Sequence, residues 1–184
     1  AATDWSSSTG NFRNVASALN GGVGSGDSSS TQSAYANRAL GVRQTSSFGD
    51  PGAAFGFNFA TTGVNVTSVS FSAQIVSAQA NATTWLLQAG VGSSPSTWTT
   101  LATFTDPGAF GATPVSVTSS TFGAALNNQN SVWLRVVALN ATTFGGTRDT
   151  FAIDNFSIGT GPVVSATTLP SSQTVTSGQS ASFT

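Results

Sequence analysis

Apolar and polar residues alternate along most of this chain, and the alternation breaks at short clusters of Gly, Pro, Asn and Asp. In the clearest run, Asn65–Ser77, every second residue from Thr67 to Ile75 falls on one predicted face. Alternation with a period of two is typical of a β-strand with one buried face. The pattern predicts eight strands, at Arg38–Gln44, Ala53–Ala60, Asn65–Ser77, Thr83–Val91, Thr97–Phe104, Pro114–Ser119, Ser131–Leu139 and Thr150–Ile158.

Strands of this number and spacing predict an all-β fold made of two packed antiparallel sheets. The favoured topology is a jelly-roll sandwich, and an immunoglobulin-like sandwich is the alternative. Alternation with aliphatic residues places Trp85 and Trp133 in the predicted core. No helix is predicted, because Val15–Leu19 is short and two glycines follow it. The first thirty residues are predicted to be loops held to the sandwich by Trp5 and Phe12.

The last predicted strand contains a change of phase. In the run F-A-I-D-N-F-S-I the apolar residues stand at positions 151 and 153 and then at 156 and 158. The pattern therefore slips by one residue at Asp154 and Asn155, which predicts a β-bulge. A bulge would turn the side-chain oxygens of these two residues toward one point.

The composition argues against an enzyme. The chain has no Lys, Glu, His, Cys or Met among its 184 residues, and six Asp and five Arg give a net charge of −1. A Ser nucleophile would have no His or Lys as its base, and no spacing in the sequence brings two acids together. Since 39% of residues are hydrophobic, including 13 Phe and four Trp, the chain can nevertheless build a core. The sequence predicts a non-catalytic module without disulfides.

The same composition limits the partners and the location. A nearly neutral chain without Lys offers no electrostatic surface for nucleic acid. No run of 18 apolar residues occurs, so no membrane insertion is expected. Ser and Thr supply 56 residues and much of the polar surface. Such a surface predicts a protein that is secreted or displayed on a bacterial cell surface.

Parts of the chain resemble domains of secreted bacterial proteins. From Arg38 to Ile158, the stretches N-R-A-L-G-V-R-Q, F-G-D-P-G-A-A-F, W-T-T-L and R-D-T-F-A-I-D-N-F-S-I resemble an uncharacterised β-domain of large secreted proteins. That resemblance implies a fold and export but no activity. The run F-A-I-D-N-F-S-I is also similar to the last strand of carbohydrate-binding modules and related jelly rolls.

In those modules the Asp of this strand often helps to bind a structural Ca²⁺, together with oxygens near the start of the domain. The resemblance implies a Ca²⁺ site at Asp154 and Asn155, for which Asp4 and Asp27 are the candidate partners, because Ca²⁺ needs six to eight oxygens. Alternatively, Asp154 caps the bulge or pairs with an arginine, either Arg148 or Arg135.

The chain changes character near Gly161. We predict a sandwich domain at 1–160, a linker at 161–171 and a strand tail at 172–184. The tail, S-S-Q-T-V-T-S-G-Q-S-A-S-F-T, resembles the first hairpin of a bacterial immunoglobulin-like repeat, but it stops before such a domain could close. Because an isolated hairpin is marginally stable in water, the tail is expected to pack on its own domain or on a neighbouring molecule.

Two functions from different classes fit these observations. The first is a structural module that joins copies of itself, or neighbouring domains of the same protein, by donating a strand from residues 163–184 to an uncharged sheet edge. Its assembly residues would be Val163, Val164, Val175 and Phe183. The alternative is a carbohydrate-binding module that stacks loop aromatics on a polysaccharide, with Trp5, Tyr35 and Trp98 as candidates.

Overall fold

The structure, a computed structural model, describes residues 12–24, 27–45, 51–106, 108–139, 147–162 and 177–178. Within them, nine strands form two antiparallel sheets that pack face to face. The strands are β1 (Phe12–Ala16), β2 (Arg38–Arg43), β3 (Ala54–Phe59), β4 (Val64–Ser77), β5 (Thr84–Val91), β6 (Thr99–Thr105), β7 (Gly111–Thr118), β8 (Val132–Val137) and β9 (Thr150–Pro162). A 3₁₀-helix covers Ala18–Asn20, and two short α-helices, α1 and α2, cover Ser29–Ser33 and Ser119–Phe122.

The strand order identifies the topology. The five-stranded sheet runs β1-β2-β9-β4-β7, and the four-stranded sheet runs β3-β8-β5-β6. With β1 set aside, the order 2-9-4-7 facing 3-8-5-6 is that of an eight-stranded jelly roll built from two Greek keys. The prediction of an all-β jelly-roll sandwich is confirmed. None of the helices in the described part of the chain is long and apolar enough to cross a membrane.

All eight predicted strands are present, with ends shifted by no more than four residues. One predicted face is wrong at its first residue. The pairing of β4 with β9 has a register irregularity between Val66 and Ser68. As a result Val66 is buried and Thr67 is exposed, although alternation from Val69 onward predicts the reverse for both.

Aromatic rings fill the space between the sheets. Trp85 of β5 stacks on Phe151 of β9 with ring centroids 4.1 Å apart, and Phe57 of β3 stacks on Phe156 at 3.8 Å. The prediction that Trp85 is in the core is confirmed, and that for Trp133 is wrong. Alternation in β8 turns three aliphatic residues inward, so Trp133 lies half-buried on the outer face of the four-stranded sheet.

The N-terminal part is more ordered than its sequence suggested. Residues 12–16 form β1, which pairs with β2, and the side chain of Phe12 is 51% exposed. The prediction of no helix is also wrong. Helix α1 has no apolar period, but the Ser28 hydroxyl accepts the Thr31 amide at 3.2 Å and caps it. The side-chain Oε1 of the buried Gln32 then accepts the Ala16 amide at 2.7 Å and ties the helix to β1.

Candidate functional site

The bulge predicted in the last strand is present. Residue Ser70 pairs with Ser157 and Ser72 with Asp154, so β9 carries one extra residue there. Asn155 takes up the extra residue with a φ of +53°, in the left-handed region that Asn tolerates better than most residues. Its amide donates to Oδ1 of Asp154 at 2.7 Å. This is the bulge-capping role that the sequence left open for Asp154.

The residues predicted to hold Ca²⁺ have partners of their own. Oδ2 of Asp154 accepts the Ser17 hydroxyl at 2.8 Å and Nε2 of Gln74 at 3.3 Å. Asp27 is exposed and accepts the Gly24 amide at 2.6 Å, within its own loop. Asp4 lies outside the described residues. In the described ranges no three Asp, Glu, His or Cys side chains come together, so Ca²⁺ at Asp154 stays a prediction.

The candidate aromatics do not form one site. Tyr35 is half-buried and follows α1, in the segment between β1 and β2 of the five-stranded sheet. Trp98 lies over the guanidinium of Arg135, on the outer face of the four-stranded sheet. Trp5 is outside the described residues. The two sheets therefore separate Tyr35 from Trp98.

Trp98 instead belongs to a group on this outer face, the Arg135 cluster, whose members are Trp98, Trp133, Arg135 and Gln88. Cζ of Arg135 is 3.8 Å from the centroid of the Trp98 ring. Its Nε and Nη2 donate to Oε1 of Gln88 at 2.9 and 2.7 Å. Arg135 was one of the alternative partners for Asp154, but it forms no ion pair with any described residue. Burial lowers the pKa of Arg135, which stays charged at neutral pH.

The loop between β5 and β6 holds this cluster in place. The carbonyl of Ser93 accepts Nε1 of Trp133 at 3.2 Å, and Trp98 closes the loop over Arg135. Pro95 packs directly on Gly90 of β5, where an added Cβ would lie 2.6 Å from the Cβ of Pro95. Glycine at 90 therefore permits the close approach of the loop to the sheet.

A second feature is the open side of the sandwich, where the end strands of both sheets, β6 and β7, face each other across a cleft. We call it the β6–β7 cleft. Its volume is about 370 Å³, and core residues form its apolar lining: Ala73, Ile75, Phe104, Val115 and Phe151. A further cavity of about 350 Å³ adjoins β6 at Thr99 and Leu101, between this strand and Phe122 and Leu126.

The edges that border the cleft carry no charge. Neither β6, with the sequence TTLATFT, nor β7, with GATPVSVT, contains an ionisable residue. Proline at 114 removes one backbone donor from β7, a common way to protect an edge strand. Strand β6 has no proline, and its register shift opposite Leu87 and Gln88 leaves Ala102–Thr105 regularly paired with β5. Residues Ala102–Thr105 of β6 therefore form a regular edge without proline or charge.

The structure also brings together two acids that no sequence pattern links. Asp106 and Asp149 are neighbours in the fold, and these residues are only 5% and 2% exposed. No sequence spacing links the two, because Asp106 follows β6 and Asp149 precedes β9, 43 positions apart in sequence. In the sequence, Asp106 is visible only as the first residue of the D-P-G motif, and Asp149 only as the residue before an alternating run.

Comparison of the chain with protein-family models, with curated proteins and with solved structures found no match. The resemblances to bacterial β-domains and immunoglobulin-like repeats stay predictions. The assembly residues Val163, Val164, Val175 and Phe183 lie outside the described residues. What can be inferred about function therefore depends on the β6–β7 cleft, the Arg135 cluster and the buried acid pair.

Proposed function

We propose that this chain is a non-catalytic module of a secreted or cell-surface protein, and that it assembles by adding a strand from a neighbouring copy at the β6–β7 cleft. The observation that carries this proposal is the apolar cleft between two uncharged end strands. Ordinary monomers protect such edges with charges, because unpaired backbone groups bind other strands. Here β6 has none.

The cleft suits an extended peptide. Seven residues of β6 span about 23 Å at 3.3 Å per residue, and the two cavities adjoin successive halves of this strand. An added strand would satisfy the free backbone groups of β6, and its alternate side chains would cover Phe104 and Val115, which are half-buried. Removing apolar surface from water would supply the main driving force.

The proposed donor is residues 163–184 of a second copy. This segment has no ionisable residue. Val163 and Val164 are adjacent in it, and mainly Ser, Thr and other small residues separate them from Val175 and Phe183. It directly follows β9, which ends at Pro162 in the five-stranded sheet. Donation from one copy to the next has no reason to close on itself, so the expected product is an open chain of subunits.

Light scattering with electron microscopy tests this proposal on four proteins. The full chain is expected to form oligomers, and a chain that ends at Pro162 is expected to be monomeric. Thr103→Lys charges the free edge of β6 and should also give monomers, whereas Thr67→Lys, on the exposed face of central strand β4, should assemble like the full chain. A monomeric full chain, or equal assembly of both Lys variants, would contradict strand addition at β6.

The Arg135 cluster favours a second function, the binding of polysaccharide. Two half-buried indole rings lie on one outer sheet face, and the Nη1 group of Arg135 makes no hydrogen bond to the described residues. Indole faces stack on the apolar faces of sugars, and an unpaired guanidinium binds carboxylates. We therefore expect a preference for an acidic polysaccharide over a neutral one.

Affinity electrophoresis in gels containing polygalacturonate or a neutral β-glucan tests this function. Retardation in polygalacturonate is expected, and Trp98→Ala should reduce the affinity at least tenfold. Tyr35→Ala is the matched control, because Tyr35 lies on the other side of the sandwich, and its affinity should not change. No retardation in either gel, or an equal loss in both variants, would exclude the Arg135 cluster as the binding site.

A further inference from the structure

Some of the oxygen atoms at the buried acid pair, Asp106 and Asp149, have no hydrogen-bond partner. Oδ2 of Asp106 accepts the Thr83 amide at 2.6 Å, and Oδ1 accepts the Gly108 amide at 3.1 Å. Oδ1 of Asp149 accepts the Gln79 amide. Oδ2 of Asp149 is buried and has no hydrogen-bond partner. The hydroxyl of Thr83, which is 4% exposed, is also buried without a partner.

Buried polar atoms almost always have hydrogen-bond partners. The Thr83 hydroxyl and Oδ2 of Asp149 have none, so their position near a second carboxylate requires an explanation. Two adjacent carboxylates cannot both be ionised in a dry environment without a compensating charge. A cation would supply that charge and use the free lone pairs.

We propose that a hard divalent cation, Ca²⁺ by its chemistry, binds between the carboxylates of Asp106 and Asp149, with the Thr83 hydroxyl as a neutral ligand. Carboxylate and hydroxyl oxygens are the ligands that Ca²⁺ takes, and its flexible coordination tolerates an irregular set completed by carbonyl oxygens or water. Asp106 also lines the β6–β7 cleft, which gives an ion a path to the site.

The site would fasten three separate parts of the fold. Thr83 precedes β5, Asp106 follows β6, and Asp149 precedes β9 in the opposite sheet. Asp149 is already held to the β4–β5 connection, because its amide donates to the Asn81 carbonyl at 3.2 Å. A bound ion would therefore link the two sheets at one end of the sandwich. This site is separate from the one predicted at Asp154.

Calcium titration of the full chain tests the proposal. After treatment with EDTA, 5 mM CaCl₂ is expected to raise the melting temperature by about 5 °C or more, and calorimetry should detect one site. Asp149→Asn is expected to lose both effects, and Asp154→Asn is the matched control that keeps them. If Asp149→Asn does not fold, Thr83→Val retains both carboxylates and should weaken Ca²⁺ binding about tenfold.

Three results would overturn the proposal. The first is a full chain that neither binds Ca²⁺ nor gains thermal stability from it. The second is an unchanged Ca²⁺ effect in Asp149→Asn or Thr83→Val. The third is loss of the effect in Asp154→Asn alone, which would move the ion to the bulge in β9.

Discussion

Replacing Gly90 with Ala is a sharp test of how the β5–β6 loop packs on the four-stranded sheet. An ideal Cβ at position 90 would lie 2.6 and 2.9 Å from Cβ and Cγ of Pro95, and 3.2 Å from the carbonyl oxygen of Thr97. Carbon atoms in contact prefer about 3.5–4.0 Å, so the loop must move away by about 1 Å. The loop carries Trp98 and accepts the hydrogen bond of Trp133.

The expected cost follows from these distances. Overpacking of this size destabilises a protein by about 1–3 kcal/mol, and the lower flexibility of Ala in a strand returns about 0.5–1 kcal/mol. Gly90→Ala should thus lower the free energy of unfolding by about 1–2 kcal/mol. Gly56→Ala is the matched control, because its Cβ would meet the Trp133 ring at an ordinary 3.7 Å. That variant should be as stable as the parent or slightly more stable.

Urea unfolding followed by tryptophan fluorescence measures both variants under the same conditions. The two variants should differ in free energy of unfolding by about 2 kcal/mol, which is about 4–8 °C in melting temperature for a chain of this length. Gly90→Ala should also bind polygalacturonate more weakly, because Trp98 moves with the loop. Equal stability of the two variants would refute the close packing of Pro95 on Gly90.

Three further predictions concern the core, the bulge and the acid pair. Phe151→Ala removes a 2% exposed ring stacked on Trp85 and should lower the free energy of unfolding by about 3–5 kcal/mol in urea titrations; a loss below 1 kcal/mol would contradict the packing. At φ +53°, Asn155→Val should cost about 1–2 kcal/mol in the same assay and Asn155→Gly much less, and equal costs would argue against the left-handed bulge. The pKa of Asp106 is raised from 3.8 to about 7. In EDTA, the protonated Asp106 carboxyl therefore stabilises the fold below pH 4, by at most about 4 kcal/mol. This contribution is lost as the pH rises through about 7. Asp106→Asn should flatten that pH dependence, and an unchanged profile would refute it.

The sequence predicted the strands well because alternation is a local property. It also located the bulge in β9, since a one-residue slip between Ile153 and Phe156 is visible in the pattern. The assignment of the buried face was wrong where both faces of one strand carry apolar residues. In β8 the run V-W-L-R-V-V allows either face to point inward, and only packing in the core shared by the two sheets places Leu134 inside and Trp133 outside.

The sites were less predictable because they depend on contacts between distant residues. Trp98 was singled out for its loop position, but nothing in the sequence indicated that Arg135 would lie beneath it. Asp106 and Asp149 are neighbours because the end of β6 lies near the start of β9. Only the jelly-roll topology determines that arrangement. The cleft is also invisible in the sequence, because strand order decides which edges stay open.

Hydrogen–deuterium exchange across β6 is the most direct test of strand addition at the β6–β7 cleft. The full chain would be measured at low and high protein concentration, with Thr103→Lys as the reference. We expect the amides of Thr99–Thr105 to exchange more slowly as the full chain becomes concentrated, while β3, the other end strand of that sheet, and the reference variant do not change. Exchange in β6 that is independent of concentration would contradict the proposal.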